Sequence, residues 1–220
     1  MSIVLNGSTG ITTPDIDSTA GFDAPDLTGA LPAIDGSALT ALTAANLTGA
    51  LPAIDGAALT GIQTGPTYAT EVASTSGTAF DFTGIPAGVK EIKVYLSDVG
   101  LASIQELEVQ LGNSGGFVAS GYVTSSGVLS SSQQAEYNYT TGFGVTLTSP
   151  SQHWSGAMTI NRNTSTGHIW NQTNAFGGTA ATAFGAGFVD VSTEVTQLRV
   201  KSLNGVVAFD SGTLNISWSF

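Results

Sequence analysis

A 15-residue segment occurs twice near the start of the chain. The copies run over residues 26–40 and 46–60, and they differ at two positions. Each copy contains two glycines and a proline. These residues interrupt any long α-helix, because an interior proline costs about 3 kcal/mol. A tandem repeat of this kind indicates a quasi-one-dimensional segment with no compact core of its own.

Leucine and isoleucine recur through both copies as a regular apolar stripe. Disordered linkers are poor in these residues, and one extended chain cannot bury such a stripe against itself. We therefore predict that residues 26–66 form an intertwined stalk in which three chains pack their stripes around a common axis. A flexible linker is the alternative. The stripe consists of Leu27, Leu31, Ile34, Leu39, Leu42, Leu47, Leu51, Ile54, Leu59 and Ile62.

Composition excludes several classes of partner. The 220 residues include 5 Lys and Arg against 16 Asp and Glu, for a net charge of −11. Binding to a phosphate backbone needs clustered basic residues, so nucleic acid is not an expected partner. No apolar run approaches the roughly 20 residues that span a bilayer, so we expect no membrane insertion. The chain has no cysteine, which excludes disulfides and zinc–thiolate sites.

Beyond residue 66 the apolar residues follow the two-residue period of a strand with one buried face. Ile92, Val94 and Leu96 alternate with polar residues. The same period recurs over residues 107–111, 198–201 and 214–220. Further strand candidates are Tyr68–Val72, Thr78–Phe82, Phe117–Thr124, Phe143–Thr148, Gly156–Asn161, His168–Thr173 and Phe184–Val191.

Short clusters of Gly, Ser, Asn and Pro separate these segments. Ser125–Gly127 is interpreted as one such separator, and Asn204–Gly205 is typical of a type I′ hairpin turn. Many short strands with almost no helical period favour a mainly β fold. We predict an antiparallel, jelly-roll-like β-sandwich head over residues 67–220.

Aromatic residues beside amides are the best candidates for ligand binding. An aromatic ring stacks on the C–H groups of a sugar, and amides bind its hydroxyls. Core packing is the alternative for the two tryptophans. The candidate receptor-binding residues are Tyr137, Tyr139, Trp154, Trp170, Asn171 and Asn174.

No residue pattern in the sequence indicates catalysis, a cofactor or a metal. His153 and His168 are the only histidines, and neither has a carboxylate at ligand spacing. The Gly-x-Ser-x-Gly elbow of a serine hydrolase is missing. Glu106 and Glu108 are interpreted as a solvated outer face, although two adjacent carboxylates could hold Ca²⁺. We expect neither an enzyme nor a bound cofactor.

Three parts of the chain resemble structural proteins of tailed bacteriophages. The opening residues 1–14 resemble the N-terminus of such proteins. The repeat Asn-Leu-Thr-Gly-x-Leu-Pro-Ala-Ile resembles the shaft repeats of phage fibres. Residues 76–90, with residues 109–116 and 209–216, resemble a C-terminal domain found in these fibres.

This resemblance implies a homotrimeric fibre on the surface of the phage particle. Residues 1–25 would attach it to other virion proteins, residues 26–66 would form the stalk, and the head would recognise a host-surface glycan or protein. Two alternatives remain. One is a fibre that decorates the head shell with a mainly structural role. The other is a cellular carbohydrate-binding or adhesin module that acts as a monomer.

Overall fold

The computed structural model describes residues 65–220, except 133, 147–148, 150–151, 164–167 and 180. The predicted attachment segment, 1–25, and every residue of the Leu/Ile stripe lie outside the described residues. Within the described part, every regular element is a β-strand, and all strand pairs are antiparallel. The prediction of a mainly β, antiparallel fold is therefore confirmed.

Fourteen strands follow one another along the described chain. They are β1 Thr67–Tyr68, β2 Val72–Ala73, β3 Ala79–Thr83, β4 Glu91–Leu101, β5 Leu107–Asn113, β6 Gly116–Phe117, β7 Val123–Ser130, β8 Gln134–Tyr139, β9 Phe143–Val145, β10 Trp154–Arg162, β11 Ile169–Gly177, β12 Ala181–Asp190, β13 Gln197–Ser202 and β14 Phe209–Ser219. Among these residues no helix is long and apolar enough to cross a membrane.

The strands form two sheets. The larger has nine strands in the order β1-β14-β4-β10-β11-β12-β7-β8, and β2 also pairs with β14. The smaller has five strands in the order β3-β13-β5-β6, and β9 also pairs with β5. Strands β1 and β8 therefore lie at opposite edges of the larger sheet.

Both sheets contribute to one apolar core, an arrangement consistent with a β-sandwich. Ile92 on β4 and Met158 on β10 represent the larger sheet, and Val109 on β5 and Leu198 on β13 represent the smaller one. All four side chains are buried. Strands such as β11 and β13 bury alternate residues most deeply, because successive side chains point to opposite faces.

Two interpretations of turn residues are wrong in detail. Ser125–Gly127 is not a separator but lies within β7, where its residues pair with β8 and β12. The register with two neighbouring strands outweighs the turn preference of Ser and Gly. Asn204–Gly205 does form a turn, with Oδ1 of Asn204 accepting the N–H of Val206 at 2.9 Å. However, it joins β13 to β14, which belong to different sheets, so it closes no hairpin.

Strand β12 has an unusual division of residues between its two faces. Its buried or half-buried positions include Ala183, Gly185 and Gly187, whereas Phe184 and Phe188 are exposed. Small residues thus face the core and aromatic residues face outward. The exposed rings give the outer face of the larger sheet an apolar character.

A substitution of Trp170 tests which face of β11 packs against the core. We expect Trp170→Ala to lower the free energy of unfolding by about 3–5 kcal/mol, because it removes a large buried side chain and leaves a cavity. Ile169→Ala is the matched control, since Ile169 is the exposed neighbour on β11. Its cost should stay below about 1 kcal/mol. Urea unfolding of both variants measures the difference. Equal losses would contradict the assigned faces.

Candidate ligand-binding groove

The outer face of the larger sheet carries a groove along β7, between β8 and β12. Two adjoining depressions form it, of about 640 Å³ and about 400 Å³, and they share Ser125 and Ala186. We call the two together the β7 groove. Its position follows from the strand register, because residues opposite each other on paired antiparallel strands face the same side.

One wall of the groove is polar. It consists of alternate residues of the edge strand β8, namely Gln134, Glu136 and Asn138. The carboxylate of Glu136 accepts a hydrogen bond from the hydroxyl of Ser125, with 2.6 Å between Oε1 and Oγ. This bond links the β8 wall to the floor strand β7 and orients the carboxylate. The wall presents both donors and acceptors.

The opposite wall is apolar. Phe184 on β12 is 51% exposed, and Leu129, on the floor strand β7, is 49% exposed. A Cβ atom on Gly127 would lie 2.9 Å from Cζ of Phe184, which is too close for a real side chain. Glycine at this position therefore lets the ring lie against the floor of the groove. The result is an aromatic face opposite a row of hydrogen-bonding groups.

Three of the predicted receptor-binding residues are buried, and this corrects their proposed role. Trp154, Trp170 and Tyr139 are 0%, 1% and 6% exposed. Their rings belong to the interior, because each points to the core side of its strand. Core packing, the alternative considered for the tryptophans, describes both. A glycan cannot stack on these rings while the domain is folded.

Tyr139 is also held by a hydrogen bond within the domain. Its hydroxyl lies 3.0 Å from Oγ1 of Thr146. Burial is the main cause that raises the pKa of Tyr139 well above its usual range. Tyr122 has a similar environment, since burial raises its pKa and its hydroxyl accepts the N–H of Leu111 at 2.8 Å. Both hydroxyls thus join neighbouring segments of the fold.

The other three predicted residues lie nearer the surface but not together. Tyr137 is exposed on β8, yet it alternates with the groove residues and so faces the other side of the sheet. Asn171 is exposed on β11, opposite Phe188. Asn174 borders the groove, but its side chain is buried and its amide has no hydrogen-bond partner among the described residues.

Sequence reasoning missed the main residues of the groove. The sequence singles out Tyr137 and Tyr139, whereas the residues that line the groove wall are Glu136 and Asn138, which alternate with them on β8. Phe184 was assigned only to a strand. The available signal is the spacing Phe184-Gly-Ala-Gly-Phe188, because two rings four residues apart with small residues between share one face of a strand.

His153, Asp98 and Ser211 meet at an irregular part of the larger sheet. Nδ1 of His153 lies 3.1 Å from Oδ1 of Asp98 and 3.3 Å from Oγ of Ser211. The hydroxyl of Ser211 donates to the backbone oxygen of Asp98 at 2.9 Å. A catalytic triad needs one ring nitrogen for the acid and the other for the nucleophile. Here one nitrogen serves both contacts, so the cluster does not have triad geometry.

The interpretation of Glu108 as a solvated residue is wrong. Its side chain is fully buried and forms an ion pair with Lys201, with 2.8 Å between Oε2 and Nζ. Gly142, in the segment after β8, lies directly over Glu108. Glu106 precedes β5 and is half-buried, so the two carboxylates do not form a paired acidic surface. In the described residues no group of three His, Asp or Glu side chains could hold a metal ion.

Comparisons with protein-family models, curated proteins and solved structures find no match to this chain.

The Glu108–Lys201 pair gives a test of buried charge. Lys201→Met leaves the buried carboxylate without its cation, so we expect the free energy of unfolding to fall by about 3–5 kcal/mol. Lys93→Met is the matched control. Lys93 pairs with Glu91 at 3.3 Å, and both side chains are more than one third exposed. Its loss should cost below about 1 kcal/mol.

Chemical unfolding at neutral pH measures both variants. Similar losses for Lys201→Met and Lys93→Met would mean that the Glu108 carboxylate is solvated in the folded protein, which would contradict its burial.

Proposed function

We propose that this chain is a non-enzymatic, homotrimeric fibre protein of a tailed-bacteriophage particle. Its β-rich head binds a host-surface glycan through the β7 groove. The observation that carries the binding role is the exposed ring of Phe184, which faces the polar residues Gln134, Glu136 and Asn138 across the groove.

The two walls match the two kinds of surface that a sugar ring presents. The C–H groups of a pyranose form an apolar face, which packs against an aromatic ring. Its hydroxyls lie around the rim and need donors and acceptors, which amide and carboxylate groups supply. An open groove on a strand surface admits a chain of sugars, because the ligand enters from the side and needs no enclosed pocket.

The position of the groove also favours presentation to a surface. Strand β1, where the described chain begins, lies at one edge of the larger sheet, and the groove lies beside the opposite edge strand β8. Seven strand spacings of about 4.8 Å place these edges about 34 Å apart along the sheet. A head held from its N-terminal side would thus carry the groove at its far edge.

The fibre and trimer parts of the proposal depend on the sequence. The Leu/Ile stripe of residues 26–66 needs an apolar partner, and three copies around one axis supply it. The shaft-like repeats and residues 1–14 resemble phage fibre proteins. Three grooves on one fibre would bind a repetitive cell surface with avidity, which offsets weak binding at each site.

Phe184 tests the groove. We expect Phe184→Ala to weaken binding to a glycan by about tenfold, because it removes the stacking surface of the aromatic wall. Phe188→Ala is the matched control. Phe188 lies on the same face of the same strand and is similarly exposed at 45%, but it does not line the groove. The probe is the strongest ligand of the full-length protein on an array of bacterial surface glycans.

Calorimetric titration of that glycan compares both variants with the original chain. Equal weakening by Phe184→Ala and Phe188→Ala would place binding outside the groove. Absence of binding to every glycan on the array would overturn the glycan-binding role itself.

The trimer is tested by the mass of the full-length chain in solution. Light scattering should give about 67 kDa, three times the 22.2 kDa of one chain. Substituting Leu31, Ile34, Leu51 and Ile54 together by Ser should reduce the mass toward that of one chain, because the shared apolar stripe is lost. A mass near 22 kDa for the unaltered protein would favour a monomeric binding module with an N-terminal linker.

A further inference from the structure

The charges around the β7 groove restrict the kind of glycan that it accepts. This inference rests on the proposed glycan-binding function. The protein has only 5 basic residues, so an anionic ligand has few possible counter-charges.

Four of the basic side chains form ion pairs, and they lie on strands other than those of the groove. Lys93 on β4 pairs with Glu91, and Arg162 at the end of β10 pairs with Glu194. The Arg162–Glu194 contact is bidentate at 2.9 and 3.2 Å. The other two are on β13, in the smaller sheet.

Arg199 and Lys201 are the two basic residues of β13. Arg199 contacts both carboxylate oxygens of Asp81, at 2.6 and 2.7 Å, and Lys201 pairs with buried Glu108. The remaining cation, Lys90, is exposed just before β4, which is three strands away from β12. None of these basic residues lines the groove.

Among the described residues that line the two depressions, Glu136 is the only charged one. Its Oε1 accepts the Ser125 hydroxyl, so the carboxylate is held in a fixed direction on the polar wall. A carboxylate only accepts hydrogen bonds, and an ammonium group only donates them. Charge-assisted bonds between such groups are stronger than neutral ones. A carboxylate, sulfate or phosphate on the ligand would instead be repelled.

From this geometry we infer that the β7 groove selects saccharides without negative charge and prefers those that carry an ammonium group, which would contact Glu136. The Phe184 wall supplies affinity for sugar rings in general, and Glu136 determines the charge of the rings that bind. Glu136 is thus a specificity-determining residue of the groove.

The test compares β-1,4-linked sugars of one backbone that carry positive, neutral or negative substituents. The full-length protein is titrated at pH 6 with the β-1,4-linked glucosamine tetramer, with its neutral N-acetylated form, and with the N-acetylated form oxidised at C6 to carboxylates. The same comparison is made within the glycan array between cationic, neutral and anionic members. We expect the cationic form to bind about threefold more tightly than the neutral form, and the anionic form at least tenfold more weakly.

Glu136→Gln should bring the preference for the cationic form close to one. Glu71→Gln is the matched control, because it removes the same net charge from an exposed residue before β2, near the other edge of the sheet. It should leave the preference unchanged. A similar loss in both variants would assign the selectivity to net charge and overturn the role of Glu136.

Different outcomes test the charge selectivity of the groove and its ability to bind glycans at all. Anionic glycans that bind as tightly as neutral ones would overturn the charge selectivity while leaving glycan binding in place. Equal binding of the cationic and neutral forms would overturn the preference for ammonium. No binding by any member of the array would overturn the glycan-binding function on which the inference rests.

Discussion

The pairing register of β12 with its two neighbours is the constraint on which the surface of this domain depends. Phe184 lies opposite Gly127 on β7 and Ala175 on β11. A slip of one residue would turn Phe184 and Phe188 toward the core and Gly185 and Gly187 toward solvent. The core has no space for the rings, since a Cβ on Gly187 would already lie 2.6 Å from Oγ1 of Thr124. Close packing inside the domain therefore forces the aromatic rings outward.

The two sheets differ in what covers their outer faces. In the smaller sheet, the segment after β8 lies over β5. Nε2 of Gln110 donates to the backbone oxygen of Thr141 at 2.9 Å, and Gly142 lies over Glu108. In consequence, polar residues that alternate with the core of β5 are buried. In the part of the chain that the structure describes, the outer faces of β7 and β12 in the larger sheet keep exposed side chains such as Leu129 and Phe184. The asymmetry comes from the path of one connecting segment.

The sequence was sufficient for strands whose alternation is strong. Ile92, Val94 and Leu96 fall on the buried face of β4, and Leu198 and Val200 on that of β13. Prediction from the sequence failed where a polar side chain is buried in the folded protein. Glu108 has the alternation of an outward residue but is covered by a segment 34 positions later in the chain. No local pattern contains that information.

Part of the groove could be predicted from the sequence. The segment around Glu136 was selected as a binding candidate, but for its tyrosines, because aromatic rings are the usual signal for a sugar site. The structure buries the side chain of Tyr139, although this residue borders the smaller depression, and the alternate polar residues of β8 form the groove wall. Trp154 and Trp170 were ambiguous for the same reason, since a tryptophan serves equally well in a core or at a surface. Whether a tryptophan is buried depends on the sheet that packs against its strand, and the local sequence of one segment does not contain that information.

The pairing of the first strands with the last one has a mechanical consequence. Strands β1 and β2 have two residues each and pair only with β14, whereas β14 and β4 are paired along most of their length. A pull on the chain at Thr67 would load the few hydrogen bonds of β1 and β2 before any of the β4–β14 ladder. These short strands would peel away first and lengthen the tether, while the sheet that carries the groove stays intact. Strands β1 and β2 would thus act as an extensible link between Thr67 and the rest of the larger sheet.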